Sequence, residues 1–150
     1  MCIRDRLLRH RAWHLGSRVR GKSLRPLDVA AVRRAASHLV GTHDFRAFRA
    51  ADDEGKTTTR TVISFDVVEG HAGDPRLVAL EVRGTAFMKN MVRILTGTLV
   101  EVGTGARGED LSVLLSATAV RGDAGLTAPP DGLTLVEVTL GRPSEGPREG

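Results

Sequence analysis

The sequence predicts an α+β domain, an antiparallel sheet with helices packed on one face. Three patterns carry that expectation. Ile63, Phe65 and Val67 alternate with Ser64 and Asp66, and Val78, Leu80 and Val82 alternate again after the turn-forming run Gly-His-Ala-Gly-Asp-Pro, as in a half-buried hairpin. Phe87, Met91, Leu95 and Leu99 recur every four residues, the spacing of a helix laid on a sheet. Near the end, Val136, Val138 and Leu140 alternate with Glu137 and Thr139. Read along the chain, the order is α-β-β-α-α-β.

Pro26 and Asp28 open the first helix, with the Asp28 carboxylate placed to cap it. Val29, Val32, Ala36, Leu39 and Val40 form its apolar face, and Gly41 stops it. A polar loop runs through Asp52, Asp53, Glu54 and Gly55 to the hairpin. The second helix is expected over 86–102, its stripe widened by Met88, Val92 and Val102 and ended by Gly103 and Gly105. A shorter helix starts at Glu109 or Asp110 and buries Leu111, Leu114 and Leu115. Pro129, Pro130 and Gly132 turn the chain into a closing strand over 133–140. Residues 141–150 have nothing to bury and read as a disordered tail.

With 150 residues, 41% of them hydrophobic, the chain supports one modest core and a single domain. No stretch approaches the roughly 18 apolar residues of a membrane span, and the arginine-rich start lacks the apolar segment of a secretory signal. Cys2 is the one cysteine, so neither an internal disulfide nor a cysteine zinc site can form, and a reducing cytoplasm suits the chain. The net charge of +4 is uneven: residues 1–34 hold ten Arg or Lys against Asp5 and Asp28, whereas the other 116 hold twelve basic and sixteen acidic groups. Such a basic arm suits a polyphosphate partner, because each neutralised phosphate releases counterions; the plainer reading is an arginine-rich surface.

One arginine, Arg93, stands inside the apolar pattern of the second helix. It either lays its stem along the core edge with its head in water, or meets a specific anion that its planar fork suits. The pair His43-Asp44 invites a metal, but no second cluster with ligand spacing accompanies it. Nothing forms a nucleophile elbow. Gly97, Gly103 and Gly105 lack the strand context of a phosphate loop, so they serve helix packing and termination.

The segment AFMKNMVRILTGTLVEVG (86–103) closely resembles the Phe-x-x-x-Met-Val-Arg-x-x-x-Gly-x-Leu-x-x-x-Gly run of the bacterial tRNA pseudouridine synthase A family. Two more segments fit in order. GTHDFRAF (41–48), followed by Lys56, Thr57 and Arg60, resembles the segment that opens the C-terminal half of that family's catalytic sheet. Arg121 with LTAPPDGLTLVEV (126–138) is similar to its closing Ala-Pro-x-x-Gly-Leu-x-Leu strand.

The resemblance implies a fold that is one half of the pseudouridine synthase catalytic domain, spanning 11–140, and isomerisation of uridine to pseudouridine in the anticodon arm of tRNA. It implies no cofactor and no metal, a homodimer with tRNA across both subunits, and a cytoplasmic location. Arg93 matches the basic partner of the nucleophilic aspartate, Leu133 and Phe87 match the substrate pocket, and Lys56, Arg60, Lys89 and Arg121 are candidate RNA contacts. The family's Gly-Arg-Thr-Asp-Ala-Gly-Val-His-Ala type motif, which carries the aspartate, does not occur here, and the chain has no tyrosine. The expectation is therefore a truncated chain, inactive alone. Met1 to Arg6 resembles a hexamer recurring at the start of gene models cut by sequencing-adapter sequence, so residues 1–10 read as a non-native leader. The alternatives are a catalytically silent RNA-binding or dimerisation module, and an inert gene fragment.

Overall fold

In the computed structural model, which describes residues 12–13, 15 and 26–140, Asp28 caps the first helix from the position its sequence context predicts. Its side chain accepts from the Ala31 amide at 3.0 Å, and helix α1 runs Val29–Ser37. The expected leader (1–10) and tail (141–150) lie outside the described residues. Ala31, Val32, Ala35, Ala36 and the following Leu39 are buried, whereas Val40 is exposed. Val40 leaves the predicted apolar face because the helix ends three residues before it and the chain turns out at Gly41, whose φ is +115°.

Three antiparallel strands follow, β1 Gly41–Asp44, β2 Thr59–Glu69 and β3 Val78–Gly84, in spatial order β1-β2-β3. Strand β1 has no counterpart in the sequence reading. Gly-Thr-His-Asp offers no apolar alternation, and its extended form comes from pairing with β2, Thr42 opposite Thr61 and His43 opposite Arg60. The hairpin is present, but Ile63 faces out rather than in. Val62 pairs with Gly84 and Ser64 with Arg83, so Ile63 is the extra residue of a bulge. The slip buries Val62 with Phe65 and Val67, and leaves Ile63 54% exposed.

Helix α2 spans Met91–Gly103, five residues later than its predicted start. Residues 85–90 cannot extend it because Asn90 is left-handed (φ 60°), a conformation asparagine tolerates better than most residues. Phe87 thus stands before the helix, 41% exposed, and lies over Gly84, where a Cβ would come within 3.0 Å of its ring. Met91, Ile94, Leu95, Leu99 and Val102 are buried in one cluster with α1 and the inner face of the sheet. Each such aliphatic side chain stabilises the fold by roughly 1.5–3 kcal/mol. The helices cross closely: the Asp28 amide donates to the Gly103 carbonyl at 2.7 Å.

The predicted short helix is a single 3-10 turn, Ser112–Leu115, with Leu111 and Leu114 buried as expected. The predicted closing strand is not formed among the described residues. Residues 133–140 carry no ladder, and Leu133, Leu135, Val136, Val138 and Leu140 are all exposed. Alternation prepares a strand, but its amides and carbonyls need a neighbouring strand, and 133–140 pairs with neither edge of the described sheet, β1 or β3. Among the described residues no helix is long and apolar enough to cross a membrane.

Candidate RNA-modification site

Helix α2 presents a line of groups that hold the segment 124–128 against it. Gly97 makes the close approach possible, since a Cβ there would lie 1.8 Å from the Leu126 carbonyl oxygen. Thr98, fully buried, accepts from the Gly125 amide at 2.9 Å. One turn on, Glu101 accepts from the Leu126 amide at 3.2 Å and is itself paired with Arg107.

Arg93 closes this clasp. Its carbonyl accepts from the Ala128 amide at 3.0 Å, and its Nε donates back to the Ala128 carbonyl at 2.8 Å. Nη1 donates to Oδ1 of the left-handed Asn90 at 3.0 Å. The guanidinium is half-buried and oriented by two neutral acceptors, so no carboxylate among the described residues compensates its charge. Nη2 has no protein acceptor among the described residues. A fixed, half-desolvated cation with a donor edge to spare is suited to a carboxylate or phosphate. Asn90, Thr98 and Glu101 were missed in the sequence because Thr98 and Glu101 act through amides 27 and 25 positions away, and Asn90 acts through the geometry of the helix start.

Lys56 and Arg121, two of the candidate RNA contacts, meet in an open cleft of about 470 Å³, where Arg46, Arg49, Thr58 and Val120 also line the wall. Arg121 donates to the Gly125 carbonyl and to Thr127 Oγ1 at 2.9 and 3.0 Å. Arg49 donates to the Gly55 carbonyl at 3.0 Å. Arg46 and Arg49 are not among the candidates of the sequence reading; their three-residue spacing is the one local signal that could have paired them. The other candidates lie apart from the cleft lining. Arg60, on β2, is tied to Thr57 Oγ1 and the Thr59 carbonyl, and its Nε is buried without a partner among the described residues. Lys89 pairs with Asp52. Leu133 is half exposed beyond the 3-10 turn Pro130–Gly132.

His43 and Asp44 are structural. The His43 ring bonds the Val40 carbonyl through Nε2 at 2.9 Å and packs edge-on to Phe45. Asp44 accepts from the Arg46 side chain and amide at 2.9 and 3.1 Å and from Thr58 Oγ1 at 2.7 Å. Its carboxyl is held below the ordinary range, chiefly by the Arg46 hydrogen bond and further by Thr58, against the opposing effect of burial. A lowered folded-state pKa stabilises the fold above the unfolded value, 3.8, and that contribution disappears as pH falls through the lowered one. Urea midpoints measured against pH should therefore show Asp44→Asn less stable than wild type at neutral pH, with the gap closing below about pH 4. A gap that stays constant into acid would remove the charge from the account.

The family model described as tRNA pseudouridine synthase matches residues 35–139. A Myxococcus xanthus protein named tRNA pseudouridine synthase A is 54% identical over 113 residues, covering 75% of this chain and 42% of that protein. Proteins of the same name from Geotalea uraniireducens and Acetivibrio thermocellus are 46% and 40% identical, over 90% and 88% of this chain and 50% and 49% of their own lengths. The chain spans about half the length of the curated relatives it matches. The matched region contains α2, the clasped segment 124–128 and the basic cleft, and this chain belongs to the tRNA pseudouridine synthase family.

Proposed function

We propose that this chain contributes the C-terminal part of a tRNA pseudouridine synthase active site, with Arg93 as the basic partner of a nucleophilic aspartate that these 150 residues do not supply. The observation that carries the reading is the Arg93 guanidinium, held by the Ala128 carbonyl and Asn90, with no acceptor for Nη2 among the described residues. An aspartate beside it would remain ionised at neutral pH. The target uridine, flipped from its stack, would meet that pair with Phe87 and Leu133 as pocket walls. Cleavage of the N1–C1′ bond, rotation of the uracil, bonding of its C5 to C1′, loss of the C5 proton and protonation of N1 complete an isomerisation that calls on no cofactor or metal. The substrate is tRNA, the working assembly a homodimer and the compartment the cytoplasm.

The chain alone is expected to form no pseudouridine in unmodified tRNA. A chimera that joins the N-terminal portion of the M. xanthus relative to this chain is expected to form it. Chemical mapping of pseudouridine checks both, and an inactive but well-folded chimera would sink the enzymatic reading. The absence of the aspartate motif and of tyrosine from these residues favours one other reading, a catalytically silent RNA-binding or dimerisation module, which predicts that inactive chimera.

A further inference from the structure

Of the eight described arginines and lysines outside the basic cleft, five are neutralised by carboxylates: Arg33 by Glu69, Arg34 by Glu109, Arg76 by Asp74, Lys89 by Asp52 and Arg107 by Glu101. The cleft bounded by Arg46, Arg49, Lys56 and Arg121 departs from that pattern. Arg49 and Arg121 are fixed by backbone carbonyls and a threonine hydroxyl, and Lys56 has no hydrogen-bond partner among the described residues. Among the described residues, only Arg46 has a carboxylate of its own, Asp44, while the Ala117 carbonyl accepts from its Nη1 at 2.6 Å. Asp53, held by the Gly55 and Lys89 amides, lies outside the cleft lining and offsets part of the Arg49 charge without a hydrogen bond to it. A neutral acceptor orients a cation without cancelling its charge. Several such cations around one open cleft repel each other until an anion enters.

We propose that this cleft binds the phosphodiester backbone of the substrate RNA, at phosphates flanking the nucleotide presented to Arg93. The assignment rests on the tRNA reading above. Its reasons lie in how the cations are distributed. They come from the 3-10 turn Arg46–Phe48, the loop before β2 and the turn Arg121–Asp123, a spread that follows a chain rather than encloses one small anion. The same segment that places Arg121 in the cleft continues to Ala128, whose carbonyl orients Arg93, so a strand lying in the cleft is led toward that guanidinium. Contacts of this kind set position and register and carry no base identity.

The test is fluorescence anisotropy of labelled, unmodified tRNA with this chain across a KCl series. It compares wild type, Lys56→Gln, the double variant Arg49→Gln/Lys56→Gln, and Arg83→Gln as a control on exposed β3. Removing one cation that neutralises a phosphate should lower the slope of log affinity against log salt by about 0.7–0.9. The double variant is thus expected to lose about 1.5 of slope and Lys56→Gln about half of that, with Arg83→Gln unchanged. Lys56 makes no hydrogen bond among the described residues, so its single variant reports on binding rather than folding. If tRNA still binds and the double variant keeps the wild-type slope, the cleft assignment is overturned and the substrate reading stands. If wild type binds no tRNA even at the lowest salt, both are overturned.

Discussion

Arg93→Ala, made in the chimera with the M. xanthus N-terminal portion, is expected to slow the single-turnover rate at saturating tRNA by roughly a hundredfold, about 3 kcal/mol. The clasp on α2 is the physical reason. Arg93 donates to the Ala128 carbonyl and to Asn90, so its fork is aimed before any substrate arrives. A group that stabilises charge at the reacting centre lowers the chemical rate and leaves affinity for the bulk of the tRNA intact. Arg93→Lys should recover only part of the rate, because an ammonium lacks the rigid planar fork that fixes both acceptors and aims the remaining donor edge. The competing idea, a surface arginine whose stem merely covers the core edge, predicts near-normal chemistry for both variants. Because Arg93→Ala also releases the Ala128 carbonyl, thermal melting of the variant belongs beside the kinetics. A rate loss with an intact melt locates the effect in the chemistry, and wild-type chemistry in Arg93→Ala would remove this residue from the site.

Gly97→Ala carries the second large effect, with a sign opposite to intuition. Alanine in place of glycine inside a helix ordinarily stabilises by up to about 1 kcal/mol. Here the added methyl would stand 1.8 Å from the Leu126 carbonyl oxygen and 2.8 Å from its carbon, both backbone atoms that cannot rotate away. The segment 124–128 must lift off α2. The Gly125 amide then leaves Thr98 and the Leu126 amide leaves Glu101, and the grip on Arg93 loosens. Overpacking together with broken buried hydrogen bonds should destabilise by about 3 kcal/mol in chemical denaturation. Gly103→Ala is the informative companion. Its methyl would meet Leu27 Cδ1 at 2.4 Å and Val32 Cγ2 at 2.7 Å, side-chain rather than backbone atoms, so it should destabilise less than Gly97→Ala, by about 1–2 kcal/mol. Equal stability of Gly97→Ala and wild type would mean that the segment does not lie on the helix as described.

The misplacements in the sequence reading share one cause. Ile63 fits the alternation of β2 until a bulge, decided by how β2 and β3 register, turns it outward. Phe87 fits the helical period until Asn90, left-handed and bonded to Arg93, starts the helix after it. Residues 133–140 alternate as a strand should, and alternation cannot supply the neighbour that would pair with them. In each case the local pattern describes which side chains are apolar, while the backbone's path depends on groups distant in sequence.

By itself the sequence determined the fold class, the hairpin, the Asp28 cap, most of the buried face of each helix and, through three ordered motifs, the family. Those features follow from short-range periodicity and from runs of residues that are contiguous in the chain. Tertiary structure alone decided that β1 exists, that Gly97 admits the segment 124–128, that Asn90 and Ala128 orient Arg93, and that Arg46 and Arg49 join Lys56 and Arg121 in one cleft. These are close approaches between groups about 3 to 75 positions apart, and only packing of the helices, loops and sheet brings their atoms to hydrogen-bonding distance or around one opening.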